Sequence, residues 1–99
     1  MSLGNIPFAG EVSKMFMIHF TNDVKPWTQV RWKAEGKLTN AIDVFQSKER
    51  ISEDTLALTI KIDGNLLSPS DKGFVNSYIH FFENDPNDKG VKLLLYGYR

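Results

Sequence analysis

The side chains best suited to proton transfer are His19 and His80, because imidazole titrates near neutral pH without perturbation. Around His80, Asn76, Glu83 and Asn84 stand four before, three after and four after, so on a helix they form one polar cluster able to hold an ion or orient a proton. The solvent face of any amphipathic helix has the same makeup. His19 shares a strand face with Met15 and Met17 and has no Ser-His-Asp spacing or carboxylate pair around it, which points to a hydrogen-bonded, partly buried residue. Ser13, Ser47, Ser52, Ser68, Ser70 and Ser77 lack the strand-turn-helix context of a nucleophile elbow. The seven glycines fall in no phosphate-loop frame. Asp85 to Gly90 offers oxygen donors at the first and third positions of a calcium loop and Gly at the sixth. Lys89 takes the fifth position, however, and Tyr96 stands where a bidentate Glu is required. No catalytic residue, metal or cofactor is expected, and an enzyme has no positive support.

These residues must be positioned by a short chain. Its 99 residues carry 12 Lys plus Arg, 12 Asp plus Glu and no Cys. That length suits one domain spanning residues 1–99. Without Cys there is no disulfide framework, thiolate zinc site or cysteine nucleophile. Zero formal charge removes the bulk electrostatic footprint of a nucleic-acid or anionic-membrane binder. The longest apolar run, Met15 to Ile18, is far short of the ~20 residues of a membrane helix, and Met1 to Gly10 has no signal-peptide pattern. A cytoplasmic protein without a membrane partner is the expectation.

Val12 to Phe20 is β-branched, aromatic or Met on both faces, as in a central strand. Thr21 to Pro26 reads as a hairpin loop, and Trp27 to Ala34 alternates as a half-buried strand. Leu38, Ala41, Ile42 and Phe45 then recur at helical spacing, with Asn40 as N-cap and Lys48 and Arg50 near the C-terminal end. Leu56, Leu58, Ile60 and Ile62 mark the cleanest strand. Ser68-Pro69 opens a second helix whose apolar arc is Phe74, Val75, Tyr78, Ile79, Phe81 and Phe82. Val91 to Arg99 is a strand apolar on both faces.

The expected fold is therefore α+β, order ββαβαβ: a two-layer sandwich of an about four-stranded, mainly antiparallel sheet with two helices on one face. If Asn65 to Leu67 is a strand, the order from Trp27 onward becomes the ferredoxin-like one. Either way two helices leave the second sheet face bare. The strand phases place Met15, Met17, His19, Trp27, Arg31, Leu94, Tyr96 and Tyr98 there, and aromatic, Met and Arg side chains are those enriched at interfaces. Folding of Met1 to Gly10 over that face is the bland alternative.

The functional expectation is a small binding domain that self-associates or takes a protein partner in an accessory, inhibitory or immunity-type role. A second reading is a small-molecule or enzymatic site between helix and sheet using His19 or His80. A third is a weak binder of single-stranded nucleic acid through Trp27, Arg31, Lys33, Tyr96, Tyr98 and Arg99, against which charge neutrality counts.

Overall fold

The computed structural model describes residues 1–21, 25–47, 52–87 and 89–99. Seven strands follow in order: β1 (Ser2–Asn5), β2 (Glu11–His19), β3 (Arg31–Gly36), β4 (Ile42–Gln46), β5 (Thr55–Asp63), β6 (Phe74–Phe82) and β7 (Val91–Tyr98). They form a four-stranded sheet, β1-β7-β6-β3, and a three-stranded sheet, β2-β5-β4. Every pairing is antiparallel except β1 with β7.

The α+β expectation is overturned: among the described residues 56% are in strands, 7% are helical, and no helix reaches seven residues. Where the first helix was expected, the 3-10 turn Thr39–Ala41 leads into β4. Asn40 lies within that turn and is not its cap. Lys48 and Arg50, the expected C-terminal cations, lie outside the described residues, as do Asn22, Asp23 and Val24 of the expected hairpin loop. The second helix is β6, paired along its length with β7 and partly with β3. Its sequence satisfies both periods, since Val75, Ile79 and Phe81 lie on one side of a strand and Phe74, Tyr78 and Phe82 on the other. Six aromatic or β-branched residues in nine favour the strand, because such side chains pack well on a pleated surface. The ferredoxin-like alternative also falls: Gly64–Leu66 is a 3-10 turn, and the Asp63 carboxylate accepts the Asn65 N–H at 2.9 Å. β3 begins at Arg31, so Trp27 lies outside it.

A second sheet takes the place of the helices. Ile18, Leu56, Leu58, Ile60 and Ile62 from the three-stranded sheet meet Val75, Ile79, Phe81 and Leu95 from the four-stranded one, all buried. Phe16 and Phe81 stack at 5.7 Å between ring centroids, joining the layers. The connection from β3 to β4 passes between sheets, and there the buried Leu38 N–H donates to the Ser77 hydroxyl oxygen at 2.8 Å. Ser77, the only buried polar residue among the described ones, thus satisfies a backbone donor that crosses the core.

Met1 to Gly10 completes the core without covering an outward face. Leu3 and Ile6 are buried. The Met1 amine donates to the Leu94 carbonyl at 2.6 Å and the Ile6 N–H to the Tyr98 carbonyl at 2.7 Å, so the segment extends the four-stranded sheet beside β7.

The other terminus is a clasp. Arg99 Nη1 donates to the carbonyls of Ser68 at 3.0 Å and Asp71 at 3.2 Å, Nη2 to that of Gly64 at 3.3 Å, and the guanidinium lies 4.2 Å from the Phe8 ring centroid. Arg99→Ala is expected to cost about 2 kcal/mol, as for hydrogen bonds made by a charged group. Arg99→Lys is expected to recover less than half of that loss, because a single ammonium nitrogen replaces the planar fork whose two ends serve different carbonyls and whose face lies on Phe8. Urea denaturation of the three proteins measures both.

Candidate functional site

The residues expected on one bare face occupy two opposite ones. Met15, Met17 and His19 point outward from the three-stranded sheet, in register with Thr59, Ala57 and Thr55 of β5. Arg31, Leu94, Tyr96 and Tyr98 point outward from the four-stranded sheet. Trp27 belongs to neither; it is half-buried and packs edge-on against Phe20 at 5.2 Å. The expected surface assumed one sheet containing every strand. Two sheets packed face to face have two outward sides.

The outward side of the four-stranded sheet is ordered in cross-strand rows. From one end these are Tyr98 with Phe74, Tyr96 with Asn76, Leu94 with Tyr78 and Glu35, Lys92 with His80 and Lys33, and finally Phe82 with Arg31. Successive rows stand about 6.6–6.8 Å apart, two residues of strand rise. Phe74 contacts Tyr98 at 5.5 Å and Tyr96 at 6.2 Å, so the aromatic side chains at this end form one cluster. Phe74, Tyr78 and Tyr98 remain 50%, 57% and 56% exposed. Phe74 and Tyr78 were missed by sequence reasoning, since a helical reading placed them in the core; the density of aromatic and β-branched residues in β6 was the signal for a strand there.

At the other end of this face lies an open cavity of about 880 Å³, lined by Lys33, Glu35, Tyr78, His80, Lys89 and Lys92 together with Pro86, Asn87 and Gly90. His80 Nε2 is 3.1 Å from the Lys89 carbonyl oxygen. A carbonyl only accepts, so Nε2 carries the proton and Nδ1 is the ring's remaining polar atom. Expected as the solvent face of a helix, His80 is instead the middle of a three-strand row. Asn76 lies two rows away, and Glu83 accepts from the Thr28 N–H at 2.7 Å, so the expected Asn76–His80–Glu83 cluster does not assemble.

His19 is at the end of the opposite sheet, exposed, with Nδ1 3.1 Å from the Thr55 hydroxyl and 3.7 Å from the Asp54 carboxylate. The Ser52 hydroxyl donates to Asp54, which holds that carboxyl below the ordinary carboxylate range, with His19 and Thr55 adding to the effect. A carboxylate between serine and histidine reverses the order a nucleophilic triad needs, in which histidine is the centre. The strand neighbours Met15, Met17 and Phe45 are 63%, 54% and 47% exposed, and the Lys61 ammonium lies 5.1 Å from the Phe45 ring centroid.

Of the side chains considered for nucleic acid, Arg31, Lys33, Tyr96 and Tyr98 share the outward side of the four-stranded sheet. Arg99 is engaged with the loop carbonyls. Among the described residues no three His, Cys, Asp or Glu side chains come together as metal ligands, and no helix is long and apolar enough to cross a membrane. In the polar connection from Asp85 to Gly90, Asp85 accepts the Asn87 N–H at 2.9 Å, and Asp88 lies outside the described residues. Neither a protein-family profile nor a curated protein sequence matches the chain.

Proposed function

We propose that this chain is a protein-binding domain whose contact surface is the outward side of the four-stranded sheet, with a second copy of itself as the first partner to test. The observation that carries this reading is the outward run of exposed Tyr98, Phe74 and Tyr78 with half-buried Tyr96 and Leu94, in three consecutive rows beside a core already closed by the other sheet. These rows contain one charged side chain, Glu35. Aromatic enrichment with charge depletion is what distinguishes the centre of an interface from other surface.

Contact through a face fits better than pairing through an edge. The β2 edge carries Lys14 at an inward-facing position opposite Ile60, midway along the strand. An inward charge on an edge strand disfavours edge-to-edge pairing.

Sedimentation of the wild-type protein over a concentration series, beside Tyr98→Asp and Met17→Asp, tests the proposal. Self-association that Tyr98→Asp abolishes and Met17→Asp preserves supports it. The converse pattern moves the surface to the other sheet. A monomer at every concentration, with Tyr98→Asp retaining every protein that the wild type captures from host lysate, overturns it.

A further inference from the structure

The charged end of the same sheet side has a different chemistry from its aromatic end. Lys33, His80 and Lys92 occupy directly opposed positions on β3, β6 and β7, all outward, and Lys89 joins them in the cavity wall. Lys33 and Lys92 stand two strand spacings apart, about 9.6 Å across the row with His80 between them, and two cations at that separation on one face repel weakly. Among the described residues no carboxylate comes within ion-pair distance of the three lysine ammonium groups. Glu35, one row along, is the only acidic residue among the described cavity-lining side chains. Among the described residues, three cations and one anion line this concavity in a chain of zero formal charge.

We propose that this row is the seat of a phosphate group, and that the ligand is a nucleotide whose base lies along Tyr78 and Leu94. Phosphate presents several oxygens to several donors, and lysine stems are long and flexible enough to converge on it as point charges. Nδ1 of His80 adds a donor when protonated, since Nε2 is already committed to the Lys89 carbonyl. The adjoining Tyr78 and Leu94 row, about 6.6–6.8 Å away, offers an exposed ring and an aliphatic side chain to a planar group. The cavity volume of about 880 Å³ lies within the range of small-molecule sites. The nucleotide is either free or the unit of a single strand; both present the same phosphate and base. The proposal shares Tyr78 and Leu94 with the protein-contact surface but rests on the lysines and His80, which that surface does not use, so loss of binding in the lysine variant with self-association unchanged separates the two readings.

The test is titration of the labelled full chain at low ionic strength with inorganic phosphate, ATP, a short oligothymidylate and an oligoglutamate peptide, followed by amide and histidine-ring chemical shifts. The phosphate-bearing probes are expected to shift Lys33, His80 and Lys92, with ATP or the oligonucleotide binding at least about tenfold more tightly than phosphate. A tighter oligonucleotide assigns a single strand as the source; a tighter ATP assigns a free nucleotide. Lys33→Ala combined with Lys92→Ala is expected to weaken binding at least about tenfold, while Lys72→Ala, in the loop before β6, leaves it unchanged. No shift at this row with any phosphate probe overturns the proposal. So does oligoglutamate binding as tightly as the nucleotides, or an equal loss in Lys72→Ala.

Discussion

Phe81→Ala is expected to cost about 3–5 kcal/mol of stability, whereas Phe74→Ala, seven residues earlier on the same strand, is expected to cost less than about 1 kcal/mol. Phe81 is fully buried and stacks on Phe16 across the sandwich, so truncation opens a cavity that neither rigid sheet can collapse to fill. Phe74 is half exposed and touches only Tyr96 and Tyr98 among aromatic rings. For a domain of this size a loss of that order is a large share of a total of about 5–15 kcal/mol, and it lowers the melting temperature by roughly 15–30 °C. The contrast tests the fold directly. On a helix both side chains lie in the apolar arc and both truncations are costly; on β6 Phe81 lies on the core side and Phe74 on the outward side. Thermal and urea denaturation of the two variants distinguish these cases.

The same pair of residues explains what the sequence conceals. Long β-rich runs were legible: Val12 to Phe20 and the alternating Leu56 to Ile62 form β2 and β5 within a residue or so of their expected ends, and the run expected from Val91 to Arg99 forms β7 (Val91–Tyr98). Their inward phases were also right, because Phe16, Ile18, Leu56, Leu58, Ile60, Ile62, Val91 and Leu93 do face the core. What covers that core was not legible. In β6 apolar residues stand on both sides, since one side meets the other sheet and the other carries the exposed aromatic cluster. Six such residues in nine then fit a wide helical stripe as well as a strand. In β4, Ile42 and Val44 face inward while Phe45 faces out, and the short 3-10 turn before it supplies the helical spacing at Leu38 and Ala41. Once both helices become strands, one expected surface becomes two. The separation of Met17 from Tyr96 follows from sheet membership, which depends on contacts distant in sequence.

The cavity has its own structural dependence, on Gly90. Gly90→Ala is expected to cost about 2–4 kcal/mol, combining the left-handed backbone penalty with overpacking. Gly90 has φ +51°, and a Cβ there falls inside van der Waals contact with the Phe81 carbonyl oxygen and 2.8 Å from His80 Nε2. The first obstacle is backbone of a central strand, which cannot swing aside as a side-chain tip does. The second stands against the nitrogen that donates to the Lys89 carbonyl, so the substitution also strikes the bond that orients His80. Gly90→Asn separates the two causes, because Asn tolerates φ above zero far better than Ala but brings the same Cβ. If the backbone conformation alone excludes side chains, Asn is nearly harmless; if close approach to β6 dominates, Asn is about as destabilising as Ala. The contact with Phe81 makes the second outcome the expected one, read as urea midpoints together with the His80 ring shifts. Wild-type stability in both variants, with unchanged His80 shifts, refutes close packing of this hairpin end on β6 and with it a fixed wall for the cavity.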